Sequence, residues 1–331
     1  MGKILLWAEY KINAGPSNVH RSWIENSNDE LLYIKSNNKY LKYIELIWKI
    51  LFCNVIIYPA YTAIRDVKFF KMLGKKGICI VHGCMSYENK IIRAGKNQEK
   101  IEIHENRIFE LSDIILCVSQ KSSQWFKNRF PKFEDKITFV NNGIIIQPRP
   151  KKNKIINTIA ISGGNRKIKN NNLVCQAVQK LNNEGIPCSI KIFGRLYPDC
   201  EDLSNYPHTE YLSHLDKETY YNILDEISLY VIASEVETFG LSIADALNCN
   251  CSLLMSDNVG GASIMNTKDE DIIMDPHNID ELAAKIRYIL ENPNHARLLS
   301  TINVNECSEK QAWNNLKSIC LTISENEKEH C

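Results

Sequence analysis

Short apolar runs rich in β-branched residues alternate with longer amphipathic segments along the chain, and the alternation is broken once, near residue 150, before it starts again. A strand buried on both faces reads as a continuous apolar run, and a helix crossing back between two such strands reads as an amphipathic segment. The pattern therefore specifies βα units and a parallel sheet, twice over. In the first half the predicted strands are 3–8, 30–35, 54–59, 77–82, 114–119 and 136–141. Helices fall between them, including 41–52, where Ile44, Ile47, Trp48 and Leu51 recur at helical spacing. In the second half the strands are 156–162, 188–194, 229–234 and 251–256, a weaker one is 271–275, and helices follow from about 279. Prolines and charges make 141–154 a linker. Two doubly wound α/β domains in tandem follow, 1–150 and 151–331, with a helix near 309–325 that can pack back on the first. A chain of 331 residues is long enough to give each its own core. Ligands of such sheets sit outside the carboxyl ends of the strands, so the expected site is a cleft between two facing domains.

The formal charge of +1 hides an uneven spread, with 23 Lys and Arg against 14 Asp and Glu in residues 1–150 and 17 against 25 in the remainder. A basic half suits an anionic partner such as a membrane surface or a phosphorylated acceptor; the alternative is chance placement of solvated charge. A nucleic-acid role lacks a stacking or groove-binding motif. Residues 65–76 place Val67, Phe70 and Met72 among Arg65, Lys68, Lys71, Lys75 and Lys76. Such a helix can lie on an anionic bilayer, or pack on the first sheet with its basic face wet. Twelve cysteines, several inside apolar runs and none in a CxxC pair, read as buried small hydrophobes in a reducing compartment. The N-terminal apolar run is too short for a signal peptide, and no stretch approaches the roughly 18 apolar residues of a membrane span. A cytoplasmic protein is expected, with peripheral contact at the inner face of the membrane left open.

The strongest chemical signal lies in 234–261, where a strand ends at Ser234 and a helix is expected to begin near Gly240. An anionic ligand there meets the N–H groups of Phe239, Gly240 and Leu241 and the positive end of the helix dipole. Glu237 and Asp245, eight positions apart, can accept hydrogen bonds from two sugars, one on a donor and one on a ribose. The plainer alternative is that Glu237 caps the helix. A second cluster, 161–172, runs from a strand through a Gly pair to Arg166, Lys167 and Lys169. Fixed cations of this kind stabilise a departing diphosphate, or else form a solvated basic loop. Gly15-Pro16 reads as a turn with Ser17 as N-cap, and His82 with Gly83 ends a strand, at the rim of the expected cleft.

These residues resemble the retaining glycosyltransferases of GT-B fold commonly numbered family 4, the glycosyl transferases group 1. That signature is a Glu, then Phe-Gly-Leu, a second acidic residue eight positions after the first, a strand, Ser or Thr with an acidic residue, and a Gly-rich turn. Glu237, Phe239-Gly240-Leu241, Asp245, Ser256-Asp257 and Gly260-Gly261 match it in order, although Asp245 stands where the family has Glu. The resemblance extends over nearly the whole chain, with 136–144 and the strand ending at Gly194 among its pieces. Lys169 matches a family Lys that stabilises the diphosphate, but its partner Arg, five residues earlier, is here Gly164, so Arg166 is carried as the substitute.

What the resemblance implies is two Rossmann-like domains facing across a cleft and transfer of a sugar from a nucleoside-diphosphate sugar, UDP-sugar favoured, to an acceptor hydroxyl. Glu237, Lys169 and His82 would be catalytic, and Gly15, Arg166, Gly194, Phe239, Gly240, Leu241 and Asp245 would bind the donor. No strand-end DxD motif is seen, so no metal and no cofactor are expected. The expected partners are the donor and a glycan or lipid-linked acceptor, in cell-surface polysaccharide synthesis. A nucleotide-sugar epimerase of the same architecture and a degenerate glycosyltransferase serving as a partner subunit are the alternatives.

Overall fold

The structure, a computed structural model, describes residues 3–93, 95–213 and 215–325. The chain divides into two compact units, Met1–Ile144 together with the chain from Asn305 on, and Ile145–Val304.

The first unit holds β1 (Lys3–Leu6), α1 (Gly15–Asn26), β2 (Leu31–Tyr33), α2 (Lys39–Ile50), β3 (Cys53–Pro59), α3 (Ile64–Met72) and β4 (Lys76–Val81). It continues with α4 (Met85–Ile92), α5 (Gln98–Leu111), β5 (Ile114–Cys117), α6 (Gln120–Arg129) and β6 (Ile137–Phe139). All pairings are parallel, in the order β2-β1-β3-β4-β5-β6. Strand residues such as Leu5, Ile56, Cys79 and Ile115 are fully buried, as a sheet covered on both faces requires.

The second unit holds β7 (Ile155–Ser162), α7 (Asn171–Asn183), β8 (Ser189–Phe193), β9 (Thr209–Leu212), α8 (Lys217–Leu224), β10 (Ile227–Ile232) and α9 (Ser242–Asn248). After these come β11 (Ser252–Ser256), β12 (Ile272–Ile273), α10 (Ile279–Glu291) and α11 (His295–Ser300). Its strand order is β12-β11-β10-β7-β8-β9, again parallel. The chain spreads one way from β7 and then returns to place β10 on its other side, so β7 and β10 flank the switch point at which such sheets hold ligands.

The last helix, α12 (Glu309–Glu325), belongs to the first unit, where the Ile144 N–H donates to the Cys307 carbonyl at 2.8 Å and Lys317 pairs with Glu30 at 2.6 Å. Residues of the expected linker are pinned to the second unit. The Arg149 N–H donates to the Asn248 carbonyl at 2.7 Å, and the Arg149 and Lys152 side chains reach the buried Asp225 carboxylate at 3.2 and 3.1 Å.

Several local expectations change. Strand β9 went unread because it is a four-residue sheet edge that is only half-buried, so its apolar signal is weak. The strand expected at 271–275 shrinks to two residues. Ser17 is not an N-cap: the helix starts two residues earlier with Pro in its first turn, where a missing N–H is tolerated, and Ser17 is buried inside it. In α3, Val67 and Phe70 pack into the core while Met72 faces out. The stripe of Ile44, Ile47, Trp48 and Leu51 at α2 faces solvent, and Leu46 and Ile50 are the apolar side chains that helix buries. The eleven described cysteines are free, and ten of them are buried. No helix among the described residues is long and apolar enough to cross a membrane.

Candidate active site

In the second unit, two loops leave the carboxyl ends of the strands that flank the switch point. The loop after β7 runs through Gly163, Gly164, Asn165 and Arg166 to a 3-10 turn, Lys167–Lys169. Gly163, at φ +91°, leaves room for the Lys169 side chain: a β-carbon there would stand 2.9 Å from Lys169 Cγ. The stem of Lys169 thus folds back over the loop, and its ammonium bonds the carboxylate of Glu237. Both side chains are about four-fifths buried.

Glu237 lies in the loop after β10, and its backbone is held from both sides. Its N–H donates to the Asn258 carbonyl at 3.1 Å, and its carbonyl accepts from the Gly260 N–H at 2.8 Å. Asn170 and Asn171 tie the two loops to the sheet. Asn170 Nδ2 donates to the Ala233 carbonyl at 3.0 Å, and Asn171 Nδ2 donates to the carbonyls of Ser162 and Gly164 at 2.9 and 2.6 Å. The Glu235 N–H adds a bond to the Ile168 carbonyl at 2.8 Å. The ion pair is therefore seated on a fixed frame. Sequence reasoning missed the two asparagines, whose signal was the run of polar residues at the start of α7.

Helix α9 begins at Ser242 rather than near Gly240, because Gly240 adopts φ +89° and Leu241 is the N-cap. The expected amides still lie at its approach. Phe239 is buried, and its carbonyl accepts from the Gly261 N–H at 2.6 Å. The N–H groups of Gly240 and Leu241 meet no backbone carbonyl among the described residues. Asp245, inside α9, accepts a hydrogen bond from the Tyr221 hydroxyl at 2.7 Å. Burial raises the Asp245 pKa, while that bond and Lys217 pull it back down. Tyr221 was not among the sequence candidates; its only signal was a Tyr pair on a helix preceding the signature.

Position 164 has no room for a side chain. Gly164, at φ +60°, packs so closely on the next strand's loop that a β-carbon would stand 2.0 Å from the Arg195 carbonyl oxygen. Gly194, at φ +119°, completes this close approach, and the Gly164 N–H donates to the Phe193 carbonyl at 2.9 Å. Asn165 clamps the same two loops, accepting from the Tyr197 N–H at 2.7 Å and donating to the Tyr197 carbonyl at 3.0 Å. Arg166 lies in the turn between this clamp and Lys169.

The remaining candidates belong to the first unit. Gly15 opens α1. His82 follows β4, in a loop anchored by buried Glu105, which accepts from the Met85 N–H at 2.8 Å. His82 is not a lone histidine: its Nε2 lies 3.0 Å from Nε2 of His20, whose Nδ1 lies 2.6 Å from the Glu9 carbonyl. A carbonyl only accepts, so His20 carries its proton on Nδ1 and His82 donates from Nε2. Burial pushes both imidazoles toward the neutral form, His82 the further. His20 was missed because its spacing in α1 is that of an ordinary core position.

The two sheets, with cation and carboxylate at the switch point of the second, define a nucleotide-type α/β fold, and solved structures make the class specific. A glycosyltransferase from Rickettsia africae is similar at TM-score 0.68 and 16% identity, covering 98% of this chain and 99% of that one. Anabaena HepE in complex with UDP is similar at TM-score 0.64 and 13% identity, covering 99% of each chain. An α,α-trehalose 6-phosphate synthase from Burkholderia multivorans is similar at TM-score 0.68 and 8% identity, covering 100% and 98%. The fold is GT-B. Residues 145–303 match the family model for glycosyl transferases group 1, and the chain is a glycosyltransferase enzyme. No curated protein matches its sequence.

Proposed function

We propose that the enzyme moves a sugar from a nucleoside-diphosphate sugar, UDP-sugar favoured, to an acceptor hydroxyl with retention at the anomeric carbon, in cell-surface polysaccharide synthesis. The observation that carries the reading is the Lys169–Glu237 pair at the switch point of the second sheet. An ammonium has three protons, and Glu237 is the one hydrogen-bond partner of this one among the described residues. The others suit phosphate oxygens, while the carboxylate suits donor-sugar hydroxyls. Support also comes from HepE, which binds UDP on the same fold.

In the reaction, the bond from the anomeric carbon to the diphosphate oxygen breaks while the acceptor oxygen bonds to the same face. The acceptor proton passes to the departing phosphate, so no separate base is required. Lys169, Arg166 and the Gly240 and Leu241 amides offset the charge that develops on the leaving group, a role fixed cations and amides fill without a metal. Asp245 holds the ribose through the oxygen Tyr221 leaves open, while the resemblance assigns donor contacts to Gly15 and Gly194 and a catalytic role to His82.

The test is a thermal-shift screen of UDP and other nucleoside diphosphates and their sugars, in chelator, on wild type and Lys169→Ala. A nucleotide that binds the native state raises the melting temperature by mass action. A rise with UDP that Lys169→Ala abolishes is expected; no rise with any nucleotide, or the same rise in the variant, would sink the reading. Conversion of the donor sugar with no acceptor present would instead indicate an epimerase.

A further inference from the structure

The amphipathic helix of the first unit is turned the unexpected way. Tyr40, Ile44, Ile47, Trp48 and Leu51 recur at i, i+4, i+7, i+8 and i+11 spacing along α2 and its C-cap, Leu41 stands beside them, and all six are 54–78% exposed. Phe52 continues the stripe, its ring centroid 5.1 Å from that of Trp48. A helix apolar on two faces, only one of which its own domain buries, leaves a patch of the kind soluble monomers avoid.

The charge around the patch identifies what covers it. Residues 35–76 hold nine Lys and Arg against two acidic residues, so most of the first half's basic excess is concentrated here. Both acids are turned away: Glu45 binds Lys49 and the Lys35 and Ser36 N–H groups, and Asp66 is buried. Lys35, Lys39, Arg65, Lys68 and Lys71 are exposed. Helix α3 extends the surface, since Arg65 donates to the Tyr43 hydroxyl of α2 at 3.3 Å and Lys75 donates to the Cys53 carbonyl at 2.7 Å. Met72, at the end of α3, and Leu73, its C-cap, are also exposed.

We propose that the exposed face of α2, flanked by the basic face of α3, docks on an anionic lipid bilayer. Apolar side chains enter the interfacial zone, Trp48 and Tyr40 sit at headgroup level, and the lysines meet lipid phosphates. A second copy of the chain fits less well, because a two-fold contact would set the lysines against themselves. A protein partner fits less well because lysine is depleted in such interfaces.

The test is co-sedimentation of the full chain with vesicles of equal parts phosphatidylglycerol and phosphatidylcholine, and with phosphatidylcholine alone. Trp48 is the one tryptophan that is mostly exposed among the described residues, so its fluorescence should shift to the blue on binding. Ile44→Gln/Trp48→Gln should weaken binding by at least about tenfold, given the apolar surface removed. Lys39→Gln/Lys68→Gln/Lys71→Gln should abolish the preference for anionic vesicles, and salt should weaken the wild type. Unchanged melting temperatures serve as the folding control. The proposal is overturned if wild type ignores anionic vesicles or if both variants bind them as wild type does. It is also overturned if wild type self-associates without lipid and the apolar variant does not. Vesicle binding needs no donor, so loss of the UDP shift counts against the donor site alone.

Discussion

The Lys169 ammonium is bonded to the Glu237 carboxylate, and the two side chains come from the loops after β7 and β10, the strands that flank the switch point of the second sheet. Each is mostly buried, so removing one leaves the other poorly paired. Lys169→Ala is expected to lower kcat/KM by about 10²- to 10³-fold, the usual effect of losing one group that stabilises a developing anion. Lys169→Arg should recover part of this, because the charge returns with a different reach. Steady-state kinetics with the identified donor decide it; an alanine variant with wild-type kcat/KM would remove Lys169 from the chemistry.

Gly164 stands where the glycosyltransferases that the signature resembles have Arg, and placing an Arg there should harm the protein. A side chain there would need φ near +60° and would run into the Arg195 carbonyl, 2.0 Å from the new β-carbon. Gly164→Arg and Gly164→Ala should each lose at least about 2 kcal/mol in urea unfolding, combining left-handed strain with a backbone collision. A Gly164→Arg variant that is both stable and more active would show that the loops can part.

How much of this was legible beforehand follows from which forces write themselves into local sequence. Strands such as β3 and β10 are buried on both faces, and their apolar runs announced them. β9 is half-exposed at a sheet edge and did not. The order Glu237, Phe239, Gly240, Leu241 was readable because a helix approach has local requirements. The bonds made by Asn170, Tyr221 and His20 join residues distant in sequence, and Asn171 reaches back across an irregular loop to Ser162 and Gly164, so no local period encodes them. The spacing on α2 was read, but periodicity gives a helix its stripe without saying which way the stripe faces.

Asp245 and Tyr221 should be coupled. Burial raises the Asp245 pKa above its ordinary 3.8, and the Tyr221 hydroxyl restrains the rise. With a raised folded value, the native state binds more protons than the unfolded chain, so stability falls as pH rises from about 4 through the folded pKa. Tyr221→Phe removes the restraint. It should move the folded pKa higher and cost about 1–2 kcal/mol at pH 7, a loss that shrinks on acidification. Urea unfolding of variant and wild type at pH 5 and 7 reads the difference; a penalty independent of pH would place the effect in packing.

The His20–His82 pair has the opposite sign. Burial lowers both pKa values below the ordinary 6.5, and His82 is held further down by His20. The unfolded chain therefore binds protons that the native unit does not, and stability, full above pH 6.5, is lost as pH falls below it. Protonation would also place two N–H groups face to face at 3.0 Å. His20→Gln retains an amide acceptor for His82 but removes one titrating group and the repulsion. The variant should be less stable than wild type at pH 7.5, by about 1 kcal/mol for an imperfect replacement of a buried hydrogen bond. It should then lose less on acidification to pH 5.5, so the two stability curves converge. Parallel curves would mean that other groups set the acid sensitivity of this unit.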